Sequence, residues 1–213
     1  MAEERVAPTR RVKALGGRLL VQARLLASGA SPFGLGRVWD YTDDCAGLAR
    51  HRPTDPRQGC KHVLPGLVAR PWHTAGGCDW TRPIEAVAPA IREEAARLLG
   101  GGGFRDDGGG PIDPPRRVHL LHCLGGTIGG ERGSPATGAA VGAVPRIAST
   151  GLCYLACLGP EAETPLGCGP TNTRLRFQLG LDVPDGCAIE VAGEARRWRP
   201  GEWLVFEDSF PNR

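Results

Sequence analysis

From Thr173 to Phe206 the chain reads as a succession of short strands, and no other feature limits its possible folds as much. Thr173, Leu175, Phe177, Leu179 and Leu181 alternate with Arg174, Arg176, Gln178 and Gly180. A period of two residues is that of a strand with two unlike faces. Pro184-Asp185-Gly186 is a turn signal leading into Cys187 to Val191. Ala192-Gly193-Glu194 then turns into Arg196-Arg197-Trp198, and Pro200-Gly201 into Trp203 to Phe206. Strands spaced by about ten residues with such turns indicate a sandwich or barrel. The 32 glycines and 19 prolines among 213 residues exceed the average shares of about 7% and about 5%. The expected fold is therefore mainly β with flanking helices.

Upstream the signals are more mixed. Residues 1–30 read as a basic, weakly amphipathic arm in which Val12, Leu15, Leu19 and Leu26 share one helical face. His51 to Cys60 is turn and loop material, and Arg70-Pro71-Trp72-His73 is extended because each X-Pro step disfavours helix. Residues 81–99 carry the clearest helix, with Pro83 in its first turn and Ile84, Val87, Ile91, Ala95 and Leu98 on one face. Glu93 and Glu94 precede Arg97 at helical spacings, and Gly100 supplies the stop. Pro89 should kink this helix or mark a late start. Gly100–Gly103 and Gly108–Gly110 frame a low-complexity loop that lacks the context of a phosphate-binding loop. Val118 to Leu124 and Leu152 to Leu158 are strand candidates, and residues 125–148 between them read as irregular.

Composition excludes several function classes. A net charge of +3 and a pI near 8.5 are too mild for a nucleic-acid partner, and the arginines, spread along the chain, form no aromatic-basic stacking pattern. The longest apolar run, Leu19 to Ala30, is broken by Gln22 and Arg24 and falls short of the ~20 residues that span a bilayer. Glu3 and Glu4 spoil a signal peptide. The 8 cysteines show neither CxxC nor zinc-finger spacing and read as ordinary buried thiols. His119 and His122 stand three apart, which on a regular strand places them on opposite faces and argues against a metal pair.

Two blocks carry a more specific signal. The first is Gly167-Cys168-Gly169-Pro170-Thr171-Asn172-Thr173-Arg174-Leu175-Arg176-Phe177-Gln178, and the second runs from Gly201 through Phe206-Glu207-Asp208-Ser209-Phe210 to Asn212. Together they resemble the core of the aspartyl/asparaginyl β-hydroxylases, whose motifs are His-x-Gly-Pro-Thr-Asn-x-Arg-x-Arg-x-His and Gly-x5-Asp-Asp-Ser-Phe-x-His. The likeness covers about residues 31–213 and is most specific over the last 45 or so. It implies a double-stranded β-helix, a cupin-like jelly roll, in a domain at 31–213. Residues 31–110 would be a helical and loop lead-in and 111–213 the jelly-roll core. A jelly roll needs about 8 strands, so a chain ending at Arg213 implies a core incomplete at its C-terminus, as in a truncated isoform.

The resemblance also implies Fe(II) and 2-oxoglutarate as cofactors and a peptide or protein substrate containing Asp or Asn. Iron in such enzymes is held by histidines with open positions for co-substrate and O2. The family's two metal histidines align with Gly167 and Asn212, so no metal ligand is assigned here and tight iron binding is not expected. Arg176 matches the arginine that grips 2-oxoglutarate through a planar fork, and Gln178 stands where a histidine helps it. A serine that contacts the co-substrate aligns with Ala156. Arg174 matches the arginine that binds the substrate's acidic side chain. Asp208 matches a carboxylate near the metal and is the candidate catalytic residue. Relatives are often anchored in the endoplasmic reticulum membrane by an N-terminal helix that is not seen here. The readings left open are an impaired oxygenase, a catalytically inactive jelly-roll module binding acidic peptides, and a truncated isoform without independent function.

Overall fold

The computed structural model describes residues 36–107, 116–123, 126–127, 134–145 and 151–213. The arm expected over residues 1–30 lies outside them, as do parts of both glycine-rich stretches. The chain forms two compact units, each assembled from separated segments. One comprises Met1–Pro71, Cys168–Leu175 and Glu207–Asn212; the other comprises Trp72–Gly167, Arg176–Phe206 and Arg213.

Among the described residues of the first unit one helix forms, α1 (Gly36–Ala46), which the sequence pattern did not announce. It closes where Gly47 enters the left-handed region at φ 70°. The Gly47 N–H then donates to Asp44 O at 3.0 Å and the Leu48 N–H to Asp43 O at 2.9 Å. This paired closure satisfies carbonyls that a helix end otherwise leaves unpartnered. Its other described residues are extended or turning chain, as read for His51 to Cys60.

The second unit holds the sheets. β1 (Trp72–His73) pairs antiparallel with β9 (Trp203–Glu207), setting Trp72 opposite Phe206, and β9 also bonds to β6 (Leu175–Leu179). A second sheet runs β2 (Arg105–Asp106), β3 (Arg117–Cys123), β4 (Gly126–Thr127), with β5 (Leu152–Cys157) also on β3. β7 (Ala188–Val191) and β8 (Glu194–Arg197) form a hairpin. Every strand pairing in these sheets for which a register is defined is antiparallel.

The helical region divides into α2 (Thr81–Ala86) and α3 (Ala88–Gly100) around Val87. Pro89 sits in the first turn of α3, where its missing N–H costs nothing. Ile84 and Ile91 reach the core with Leu121, Ala140 and Leu155, and Trp80, Leu98 and Phe104 pack around them. Val87, expected on that face, is instead 39% exposed because it occupies the break. Trp80, Phe177 and Trp203 form an aromatic triad with ring centroids 4.9 to 6.2 Å apart.

A fourth helix, α4 (Pro135–Gly142), lies in the stretch read as irregular. Its sequence is glycine- and alanine-rich, and Ser134 at its N-cap makes no side-chain cap bond. The cap comes from α3 instead. The buried Glu94 carboxylate accepts from Ala136 N at 2.9 Å, Thr137 N at 2.8 Å and Thr137 Oγ1 at 2.6 Å. It satisfies the first amides of α4 and meets the positive end of its dipole. Burial pushes the Glu94 carboxyl up, but the Thr137 and Ala136 hydrogen bonds outweigh that and hold it below its ordinary value. With α1 and α4 present, helix and strand run to comparable lengths. The fold is thus mixed α and β with antiparallel sheets rather than mainly β, and no closed barrel forms among the described residues.

Two further expectations are corrected. A register shift follows Leu120 in β3, so His119 faces Leu155 and His122 faces Cys153 across the ladder. Residues two apart on β5 share a face, and the bulge therefore brings both histidines to one face. The eight cysteines are unpaired, but none is fully buried: Cys45, Cys168 and Cys187 are exposed and the others half-buried. Cys153 is the most shielded electrostatically, its thiol pushed up to about 11 by burial. No described helix is long and apolar enough to cross a membrane.

Two predictions follow from these elements. Glu94→Gln turns one of two acceptors towards α4 into a donor, and the expected loss is about 1–3 kcal/mol of stability, read from thermal unfolding near neutral pH. Because the folded carboxyl is depressed, its contribution is full above the ordinary glutamate value of about 4.3. It fades as pH falls through the folded value, so parent and variant should converge in strong acid. In the β7–β8 hairpin, Ala192 and Gly193 both lie in the left-handed region, at φ 52° and 85°. A side chain with a β-carbon is penalised there, while asparagine tolerates it. Ala192→Asn should therefore raise the thermal midpoint, by relieving part of a penalty of roughly 1–2 kcal/mol.

Candidate functional site

The segment Glu207-Asp208-Ser209-Phe210 is wholly buried, and two adjacent carboxylates stand within it. A charge taken out of water needs partners, so those partners define the site. Glu207 Oε1 accepts from Arg70 N at 3.1 Å, and Oε2 accepts from Gln58 Nε2 at 3.2 Å and Ser209 Oγ at 3.4 Å. The same Gln58 amide donates to Ser209 Oγ at 2.8 Å, while Gly59 N donates to Ser209 O at 2.8 Å. Asp208 is 0% exposed and forms an ion pair with Arg174 through Nη2. Its backbone carbonyl accepts from Gly169 N. A β-carbon built on Gly169 would overlap the Asp208 carboxyl group, so a glycine is required there by close approach.

Residues 170–173 complete the frame. Pro170 O accepts from Lys61 N at 3.1 Å and His62 N at 2.8 Å. Thr171 Oγ1 accepts from Tyr41 Oη at 3.0 Å. The Asn172 side chain acts as a strand partner for Leu64, accepting from its N–H at 2.8 Å and donating to its carbonyl at 3.0 Å. Asp44 ties α1 into the same lattice, accepting from His51 N at 3.0 Å and Val63 N at 3.1 Å, with His62 Nδ1 at 3.4 Å. Burial raises the Asp44 carboxyl, yet these bonds hold it below the usual aspartate range. Burial pushes the Tyr41 hydroxyl up, against the lowering effect of Thr171.

Of the residues singled out in the sequence, Arg174 and Asp208 are brought together in this unit. The Arg174 side chain is 46% exposed while that of Asp208 is 1% exposed. One edge of the guanidinium is thus fixed inside the protein and nearly half of the side chain faces solvent. A planar group with five N–H donors held this way suits a carboxylate. Arg176 and Gln178 lie on β6 in the other unit, both half-buried, with Gln178 Oε1 enclosed. Neither face of β6 is fully open, in contrast to the two unlike faces its alternation suggested. Ala156 is exposed on β5, opposite Val118.

The residues at the family's metal positions do not fit iron. Gly167 is exposed and offers no side chain. The Asn212 amide is turned to backbone, Nδ2 donating to Phe210 O at 2.8 Å and Asp208 O at 3.3 Å. Among the described residues no three His, Cys, Asp or Glu side chains gather as a metal set. Gln58, Asp44 and Tyr41 were not foreseen as members of this lattice. They are isolated polar residues in turn-rich or unpatterned sequence, and no local signal marks them.

Comparison with known proteins gives a consistent result. Residues 131–211 match the family model described as Aspartyl/Asparaginyl beta-hydroxylase. Over 51 residues the chain is 47% identical to aspartate beta-hydroxylase domain-containing protein 1 of Homo sapiens, covering 24% of this chain and 13% of that protein. It is 42% identical over 60 residues to aspartate beta-hydroxylase domain-containing protein 2 of Homo sapiens, 28% of this chain and 16% of that protein. With aspartyl/asparaginyl beta-hydroxylase of Mus musculus the identity is 56% over 43 residues, 20% of this chain and 6% of that protein. The matched stretch is therefore a small part of each relative's length.

Two neighbouring glycines provide an internal contrast. Gly169→Ala drives a methyl group into the Asp208 carboxyl and should cost about 1–3 kcal/mol or more, as overpacking does. Around Gly167 a β-carbon meets only Pro165 O at 3.9 Å, so Gly167→Ala should stay within about 0.5 kcal/mol of the parent. Thermal unfolding of the two variants side by side checks both values.

Proposed function

We propose that this chain, whose residues 131–211 belong to the aspartyl/asparaginyl β-hydroxylase family, is a binding module for acidic, aspartate-containing peptides. In this reading its iron- and 2-oxoglutarate-dependent hydroxylation is impaired. The observation that carries it is Arg174, nearly half exposed and anchored by a buried carboxylate. Such a guanidinium offers preformed, bidentate recognition of a peptide carboxylate. The donor set supports the second half of the reading, because Gly167 supplies no ligand and the Asn212 amide is committed to backbone carbonyls. Loss of a group that merely orients a ligand costs 10–100-fold in metal affinity, and here two first ligands differ. Within the same reading, the antiparallel sheets are part of a jelly roll, and Arg176 with Gln178 is the remnant of a 2-oxoglutarate contact.

Two measurements test it. Fluorescence anisotropy of a labelled epidermal-growth-factor-like peptide with a central aspartate should report binding, and Arg174→Gln should weaken it by about tenfold or more. Equal affinity of parent and variant would remove Arg174 from the interface and end this reading. A thermal scan with manganese(II) plus 2-oxoglutarate should leave the midpoint where it was. A site filled at 100 Kd would add about 2.7 kcal/mol; a shift of that size, with the peptide gaining the mass of one oxygen once iron replaces manganese, would restore the oxygenase.

A further inference from the structure

We infer that Cys60 and Cys168 are a reversible redox clamp on the first unit, closed into a disulfide by a disulfide oxidant such as oxidised glutathione and reopened by a thiol reductant. The inference is independent of what Arg174 contacts. Both cysteines belong to the first unit, although they lie far apart in the sequence. Two sets of backbone bonds bring them together. Lys61 N and His62 N donate to Pro170 O at 3.1 and 2.8 Å, and His62 bridges Thr171 in parallel register. On the other side, Gly59 N donates to Ser209 O at 2.8 Å and Gly169 N donates to Asp208 O. The residue beside each cysteine is thus fixed to one of two consecutive carbonyls in the same buried segment. The Cys168 sulfur lies over Gly59, where a β-carbon would sit 2.5 Å from Sγ. Gly59 is the immediate neighbour of Cys60, and consecutive Cα atoms are about 3.8 Å apart. Backbones paired as these are run about 4.8 Å apart, and a disulfide joins residues whose Cα atoms are about 4.4–6.8 Å apart. Closure therefore needs rotation of the two side chains, with both segments left in place.

The two thiols differ in access, and access sets the order of the steps. Cys168 is exposed and Cys60 is half-buried. Burial pushes the Cys60 thiol up, its own backbone amide opposes this, and the charges of Cys168, Asp44 and Asp208 push it further. Cys168, as thiolate, attacks one sulfur of oxidised glutathione. A mixed disulfide forms, and the first glutathione leaves with the electron pair of the broken S–S bond. Cys60 then gives up its proton, attacks the Cys168 sulfur and expels the second glutathione. Two protein thiols are oxidised, one glutathione disulfide is reduced, and the two protons end on the two glutathione thiols. The new bond closes the whole loop from Cys60 to Cys168, and a long closed loop removes much of the unfolded chain's freedom.

The test incubates the full chain with oxidised glutathione, blocks the remaining thiols with an alkylating reagent and maps an unreduced digest by mass. The expected product is a cross-linked Cys60–Cys168 peptide pair, two hydrogens lighter than its reduced parts. The exposed Cys45 and Cys187 serve as controls and should be found alkylated or as glutathione adducts. The oxidised chain should unfold about 5–10 °C above the reduced chain, and Cys168→Ser should abolish that difference. Cys168 found only as a glutathione adduct, or linked to any other cysteine, overturns the inference. So does a cross-link that leaves the midpoint unchanged, or a difference that survives in Cys168→Ser. Should Cys168→Ser not fold, the parent decides alone, because its digest reads the bond directly and its two redox states supply the midpoints.

Discussion

The first unit depends on how two consecutive carboxylates are kept inside the protein. Glu207 and Asp208 are both buried, and each draws in groups from distant sequence: Arg70 and Gln58 for one, Arg174 for the other. A buried charge is stable only when its partners are geometrically fixed. That need explains why the surrounding contacts are polar and specific rather than greasy. Asn172 locks onto Leu64, Pro170 O onto Lys61 and His62, and Asp44 onto Val63 and His51. The unit is closer to a hydrogen-bonded lattice than to an oil drop.

The second unit is organised on the opposite principle. Ile84, Ile91, Leu121, Ala140 and Leu155 gather by apolar burial, with the aromatic triad alongside. Among its described residues Glu94 is a buried carboxylate that again serves backbone, as the cap of α4. In both units, then, buried carboxylates hold chain segments together. This engagement bears on chemistry as well as on stability. A carboxylate bound to a guanidinium, or to helix amides, has little capacity left for a metal ion or a proton relay.

Much of this was legible in the sequence, and the exceptions share a cause. The period-two runs and their turns located β3, β5, β7, β8 and β9 to within two residues, and Pro89 marked the start of α3. What escaped were features fixed by partners far along the chain. α4 has weak helix-forming sequence and is held by a cap contributed from 42 or 43 positions away. α1 ends through a local glycine, but its burial comes from Asp44 reaching Val63. The histidines of β3 share a face because of a bulge that no alternation pattern announces. For the site, the motif pointed to Arg174 and Asp208 as separate chemical groups, and only their geometry shows them as one pair. Gln58 carries no signal at all, since both its side-chain partners lie about 150 residues onward.

That last separation has a kinetic meaning. Gln58 meets Glu207 and Ser209 across 149 and 151 residues, and Arg174 meets Asp208 across 34. Contacts of such span incur loop-closure entropy before they return any stabilisation, and chains rich in them fold slowly. During synthesis, Gln58, Gly59 and Arg70 are without these partners until the Glu207–Ser209 segment has been made. A loop made early in this unit is thus closed by the unit's last segment.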